Sequence, residues 1–156
     1  MMQVYEELMA NYPYLDFKFD PLMPAKHKGM IMGETVYINP NQEYKELNVT
    51  VAEEIAHYLT GSGNIIAQDS IEKRKQERLA RDIGAAILVT PKDIIDCFET
   101  GCKSVWECAE HLNITDQAFK DAVKFYARKF RGIMTEDNHI IIFREDGTVS
   151  VFKSVQ

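Results

Sequence analysis

Gln42-Glu43-Tyr44-Lys45-Glu46-Leu47-Asn48-Val49-Thr50-Val51-Ala52-Glu53-Glu54-Ile55-Ala56-His57-Tyr58-Leu59-Thr60 is the stretch on which the reading of this chain turns. Tyr44, Leu47, Val51, Ile55 and Leu59 recur every three or four positions, the spacing of a helix with one buried stripe. Gly61-Ser62-Gly63 supplies the stop, because glycine adopts the left-handed conformation that ends helices. Glu53, Glu54 and His57 lie at or beside the stripe, where ionisable groups meet the interior.

Before this helix, Val4, Tyr5 and Leu8 predict a short amphipathic helix that stops near Pro13. Leu15, Phe17 and Phe19 alternate with polar residues as an edge strand does. Met30 to Ile38 reads as a hairpin turning at Gly33-Glu34, since glycine provides positive φ at the first turn position. After the helix, a third helix is expected over about 70–89 with Ile71, Leu79, Ile83 and Ile87 on its buried face. Thr90, Pro91 and Asp93 cap the next one. Ser104 with Glu107 opens a short helix, and Thr115-Asp116 opens another with the stripe Phe119, Ala122, Val123, Tyr126 and Phe130. Ile140 to Phe143, the turn Asp146-Gly147 and Thr148 to Phe152 read as a terminal β-hairpin. The fold class is therefore α+β. A chain of 156 residues suits one domain, 1–156, with a small sheet and two central helices in 1–90 and a helical tail and hairpin in 91–156.

Hydrophobic residues at 46% and charged residues at 27% exclude a largely disordered chain. A net charge of −6 argues against broad binding to phosphate backbones. The start of the chain is acidic and unlike a signal peptide, and the apolar run from Ile83 to Val89 is too short to span a bilayer. Cys97, Cys102 and Cys108 are an odd set without Cys-x-x-Cys spacing, which indicates neither a disulfide framework nor a zinc knuckle. A reducing cytoplasm follows as the expected compartment.

Glu53 and His57 stand four apart on one helix face, with Glu54 between them. This is the spacing of the His-Glu-x-x-His pattern of zinc hydrolases, with glutamate in place of the first histidine. In that pattern the intervening glutamate is the general base and the flanking residues hold the ion. Glu77 follows on the next helix, where Ala80, Gly84 and Ala85 allow two helices to approach closely, so a third ligand can come from there. Spacing alone favours a solvated Glu-Glu pair beside a histidine. It likewise favours Glu77 as one more exposed charge in the run Glu72 to Arg78.

Ala52-Glu53-Glu54-Ile55-Ala56-His57-Tyr58-Leu59-Thr60 after a hairpin, together with Arg74-Lys75-Gln76-Glu77-Arg78-Leu79-Ala80-Arg81, resembles the ImmA/IrrE metallo-endopeptidases of phages and conjugative elements. The likeness extends through Leu88-Val89-Thr90-Pro91 and the segment from Val105 to Lys129. It implies a zincin-like metallopeptidase core, with Glu54 as general base and His57 and Glu77 as zinc ligands. Glu53 takes the place of the family's first histidine. It further implies cleavage of, or metal-dependent antagonism toward, a helix-turn-helix repressor during induction of a mobile element. Two glutamates and one histidine neutralise a zinc ion, so weak zinc binding is expected. An adaptor that binds a repressor without cutting it is the second reading.

Residues 104–130 also have the outline of a helix-turn-helix, yet Asp116 and Asp121 sit beside Lys120 and Lys124, without the cationic surplus of a recognition helix. A DNA-binding regulator is therefore the least favoured reading. Lys73, Arg74, Lys75, Arg78 and Arg81 read as a solvated face, and His27, His111 and His139 as surface or capping histidines. Trp106 reads as core of its short helix.

Overall fold

Helix α2 runs Tyr44–Thr60 and ends at Gly61, whose φ of 73° is the left-handed stop expected of it. The structure is a computed structural model that describes residues 2–61 and 70–154; Ser62 and Gly63, the rest of the expected stop, lie outside them. Leu47, Val51 and Ile55 are buried as the stripe requires, but Tyr44 and Leu59 at the two ends are exposed. The buried face is also broader than an apolar stripe, because Asn48, Thr50, Ala52, Glu54 and Ala56 turn inward with it.

Two compact units divide the chain, residues 1–84 and 85–156. In the first, α1 (Val4–Ala10) packs on α2. Asn48 Oδ1 accepts the Tyr5 N–H at 3.0 Å, and the Tyr44 hydroxyl accepts the Val4 N–H at 3.0 Å. These bonds satisfy donors at the start of α1 that no intrahelical carbonyl reaches. Strands β1 (Asp16–Phe19), β2 (Gly29–Met32) and β3 (Thr35–Ile38) form a sheet in the order β1-β3-β2. β1 lies at the edge and runs parallel to β3, and β2 pairs antiparallel with β3 through the hairpin at Gly33, φ 62°. Helix α2 packs on β2 and β3, whose Ile31, Val36 and Ile38 are buried. Asn39 fixes the chain between β3 and α2. Its Nδ2 donates to the His27 carbonyl at 3.0 Å, and its Oδ1 accepts the Asn41 N–H at 2.9 Å.

Helix α3 (Ser70–Leu88) has the expected extent but not the expected face. Ile71 and Leu79 are exposed, while Ala80, Gly84, Ala85 and Leu88 are buried. At Gly84 it is close backbone approach, not bulk, that selects the inward residue. The division between the two units falls inside this helix.

In the second unit, α4 (Pro91–Glu99) opens with Thr90 and Asp93 in a reciprocal capping box. Helix α5 (Val105–Leu112) starts where the Ser104 hydroxyl accepts the Glu107 N–H at 3.0 Å; the Glu107 carboxylate reaches the Lys103 N–H instead of closing the box. Helix α6 (Asp116–Lys129) buries Phe119, Ala122, Val123 and Tyr126, with Phe130 exposed at its end. The expected terminal hairpin is β5 (His139–Phe143) and β6 (Val149–Lys153), and a short β4 (Gly132–Met134) joins it as a third antiparallel strand. Tyr126 stacks on Phe143 at 5.0 Å between centroids and donates its hydroxyl to the Val89 carbonyl at 2.8 Å. Among the described residues there are thus six helices and two three-stranded sheets, the α+β class read from the sequence. No described helix is long and apolar enough to cross a membrane.

Two side chains differ from expectation. Trp106 is 61% exposed, since its helix turns Cys108 and Ala109 inward instead. His139 is buried, with Nε2 at 2.9 Å from Glu99 and Nδ1 at 3.0 Å from Asp137. The Asp137 carboxylate beside Nδ1 is the main cause raising the His139 pKa above its ordinary value, while the Thr135 hydroxyl first and His139 second lower Asp137 to about 2. The histidine's contribution to stability is therefore full below its ordinary value and is lost as pH rises through the raised one. Denaturation midpoints between about pH 6 and pH 9 should fall more steeply in the native protein than in His139→Gln.

Candidate functional site

Glu53, Glu54 and His57 occupy successive positions around the C-terminal half of α2, and the main chain of α3 comes against them at Gly84. A Cβ on Gly84 would lie 3.1 Å from both Cα and N of Glu53 and 3.2 Å from the Ala52 carbonyl carbon. Such contacts with helix backbone leave nothing that can swing away, so a bare backbone at Gly84 is what admits α3 here. From the sheet side, a Cβ on Gly29 would meet Glu54 Cγ and Thr50 Cγ2 at 2.9 Å. Glu54 therefore lies against the main chain of β2.

That placement buries Glu54, which is 8% exposed. Its carboxyl is pushed up to about 8, first by desolvation and then by the charges of Glu53 and Glu77. Glu77 sits on the outer part of α3 with half of its side chain exposed, as its charged neighbours Arg74, Lys75 and Arg78 are. Its Oε2 nevertheless reaches 3.4 Å from Nε2 of His57, whose side chain is 13% exposed. The four residues singled out in the sequence thus share one neighbourhood.

The donors of His57 and Glu77 fit a zinc ion. Two ligands at about 2.0–2.1 Å in tetrahedral geometry stand roughly 3.3–3.4 Å apart, which is the separation of this pair. Three carboxyls crowded enough to raise one of them also make a place where a divalent cation relieves repulsion. Glu53, half-buried on α2, does not converge with the other two: among the described residues, the ligand atoms drawn within 4.8 Å of one another as a trio are those of Cys97, Cys102 and Cys108.

The sequence reading passed over Gly29, which carried no pattern of its own; its signal was only that a glycine opened a strand. It also passed over the convergence of the three cysteines, whose spacings of five and six residues match no familiar ligand pair.

The chain has counterparts among known proteins. A peptidase family described as the IrrE N-terminal-like domain matches residues 2–124. The chain belongs to that family. The match includes α2, α3 and the first sheet, and so spans Glu53, Glu54, His57 and Glu77. A solved structure, a Mycobacterium tuberculosis transcriptional regulator, is similar at 16% identity and a TM-score of 0.55. That likeness covers 77% of this chain and 40% of the regulator, and at such identity it is one of fold. No curated relative matches the chain. Membership in the IrrE-like family brings a metallopeptidase-type domain.

Gly84→Ala should cost about 1–3 kcal/mol through overpacking against α2, measured as a lower denaturant midpoint. A raised carboxyl stabilises the fold most below its ordinary pKa of 4.5, and that stability is lost as pH rises toward about 8. In chelator, Glu54→Gln should therefore flatten the decline in midpoint over this window. An equal decline in both proteins would contradict the buried-carboxyl account.

Proposed function

We propose that this IrrE-like domain is a zinc-dependent endopeptidase that cleaves a helix-turn-helix repressor of a mobile element, working as an anti-repressor in the cytoplasm. The observation that carries the reading is the 3.4 Å approach of His57 Nε2 to Glu77 Oε2 beside the buried Glu54. His57 and Glu77 would hold the ion, with Glu53, half-buried on the same helix as His57, as the candidate third ligand. When bound, zinc supplies the Lewis acidity that acidifies a water and polarises a peptide carbonyl.

Glu54 supplies the proton chemistry. Its carboxylate removes a proton from the attacking water and then delivers it to the departing amine nitrogen. For the first step the group must be ionised. Positive charge introduced among Glu53, His57 and Glu77 favours that form, since repulsion from Glu53 and Glu77 is part of what holds it protonated. Packing against Gly29 limits where the carboxyl can go, so the proton is moved at a fixed place.

The second reading is an adaptor that antagonises the repressor by binding alone. Glu53 favours it to the extent that a carboxylate which does not converge with His57 and Glu77 leaves the ion weakly held.

With purified repressor, zinc-loaded protein should cut, and Glu54→Gln should lower the rate at least about 100-fold while repressor binding persists. His57→Ala and Glu77→Gln should each reduce zinc retained after dialysis. Cleavage by Glu54→Gln at the native rate would refute the mechanism. Binding without cleavage in saturating zinc would establish the adaptor.

A further inference from the structure

Cys97, Cys102 and Cys108 present three sulfurs within 4.8 Å of one another. They come from three different places: the last turn of α4, the connection after it, and the first turns of α5. The connection is fixed by main-chain bonds. Gly101 takes φ 99°, its N–H donates to the Phe98 carbonyl at 3.1 Å, and the Cys102 N–H donates to the Cys97 carbonyl at 2.9 Å. The Cys108 N–H donates to the Ser104 carbonyl at 3.0 Å. Three free thiols are thus brought together by backbone, not by chance rotamers.

Their present hydrogen bonds are weak. Cys97 donates to the Cys108 carbonyl at 3.8 Å, and Cys102 to the Glu107 carbonyl at 3.7 Å. Sulfurs bonded to one ion at about 2.3 Å stand roughly 3.8–4.0 Å apart, so a small contraction of the trio accommodates an ion. Cys97 and Cys108 are buried and Cys102 is half-buried, which gives a closed floor and one side of entry.

We propose that these three cysteines form a thiolate site for a soft d10 cation of the Cu(I) type. Thiolates select soft ions over Mg(II) and Ca(II), which take oxygen ligands. Three-coordination completes Cu(I), whereas zinc almost always takes a fourth ligand, and no histidine or carboxylate among the described residues joins the trio. The nearest histidine in sequence, His111, is held by Asp96 at 2.9 Å. On binding, three S–H bonds break, three metal–sulfur bonds form, three protons leave to solvent, and no oxidation state changes.

The test titrates the full chain with Cu(I), anaerobically and in a phosphine reductant, against a chromogenic Cu(I) chelator. One Cu(I) per chain should be withheld from the chelator, and Cys102→Ser should weaken retention at least about 100-fold. Glu77→Gln should leave it unchanged. Cu(I) should also protect all three thiols of the native protein from alkylation, a readout independent of any variant's folding. Retention unaffected by Cys102→Ser, loss of retention in Glu77→Gln, or thiols alkylated equally with and without Cu(I) would each overturn the site. Zn(II) withheld through the same thiols as tightly as Cu(I) would overturn the choice of ion.

Discussion

Bare main chain on two sides of α2 is the constraint on which the site depends. Gly29 lets the strand lie against the Glu54 side chain, and Gly84 lets α3 lie against the Glu53 backbone. A methyl group at either position would have to displace something, and at Gly84 the something is a helix backbone. Overpacking of this kind is not absorbed by a close-packed interior. The consequence is electrostatic as well as steric. Three carboxyls and an imidazole are held close, with one carboxyl deep enough to lose its solvation, and the interior tolerates that charge only by protonation or by a cation.

Much of this was legible from sequence because it is local. Periodicity marked α2, caps marked α4, α5 and α6, and turn glycines marked both hairpins; each signal lies within a few residues of what it specifies. The spacing of Glu53, Glu54 and His57 fixed their common face for the same reason. What the pattern misjudged depends on partners far along the chain. Ile71 and Leu79 looked like core, yet the inward face of α3 is Ala80 and Gly84, since only the neighbouring backbone decides how near that helix comes. Trp106 and His139 exchanged their expected environments similarly: one is exposed, and the other is buried between Glu99 and Asp137, the first of them 40 residues away. Strand β4, with three residues and a glycine, is too short to alternate.

Glu77 illustrates why exposure and function need separate arguments. The solvated reading of its charged run is correct as far as it goes, because half of the side chain faces water. The carboxyl end still reaches His57. Half of Glu77 stays open to water, while Glu54 beside it is buried. Burial thus sets apart chemically similar side chains that share one neighbourhood.

The bond from Tyr5 N–H to Asn48 joins residues 43 apart and places an amide side chain among the most deeply buried in the protein. Asn48 sits on the same helix as Glu54, so the register of α2 is tied to the beginning of the chain. The bond closes a span of 43 residues, so the chain entropy that it costs is offset only when α1 is docked on α2. A protein trimmed of its first ten residues would keep Glu53, Glu54, His57 and Glu77 and still surrender both the donor that Asn48 accepts and the helix that covers it.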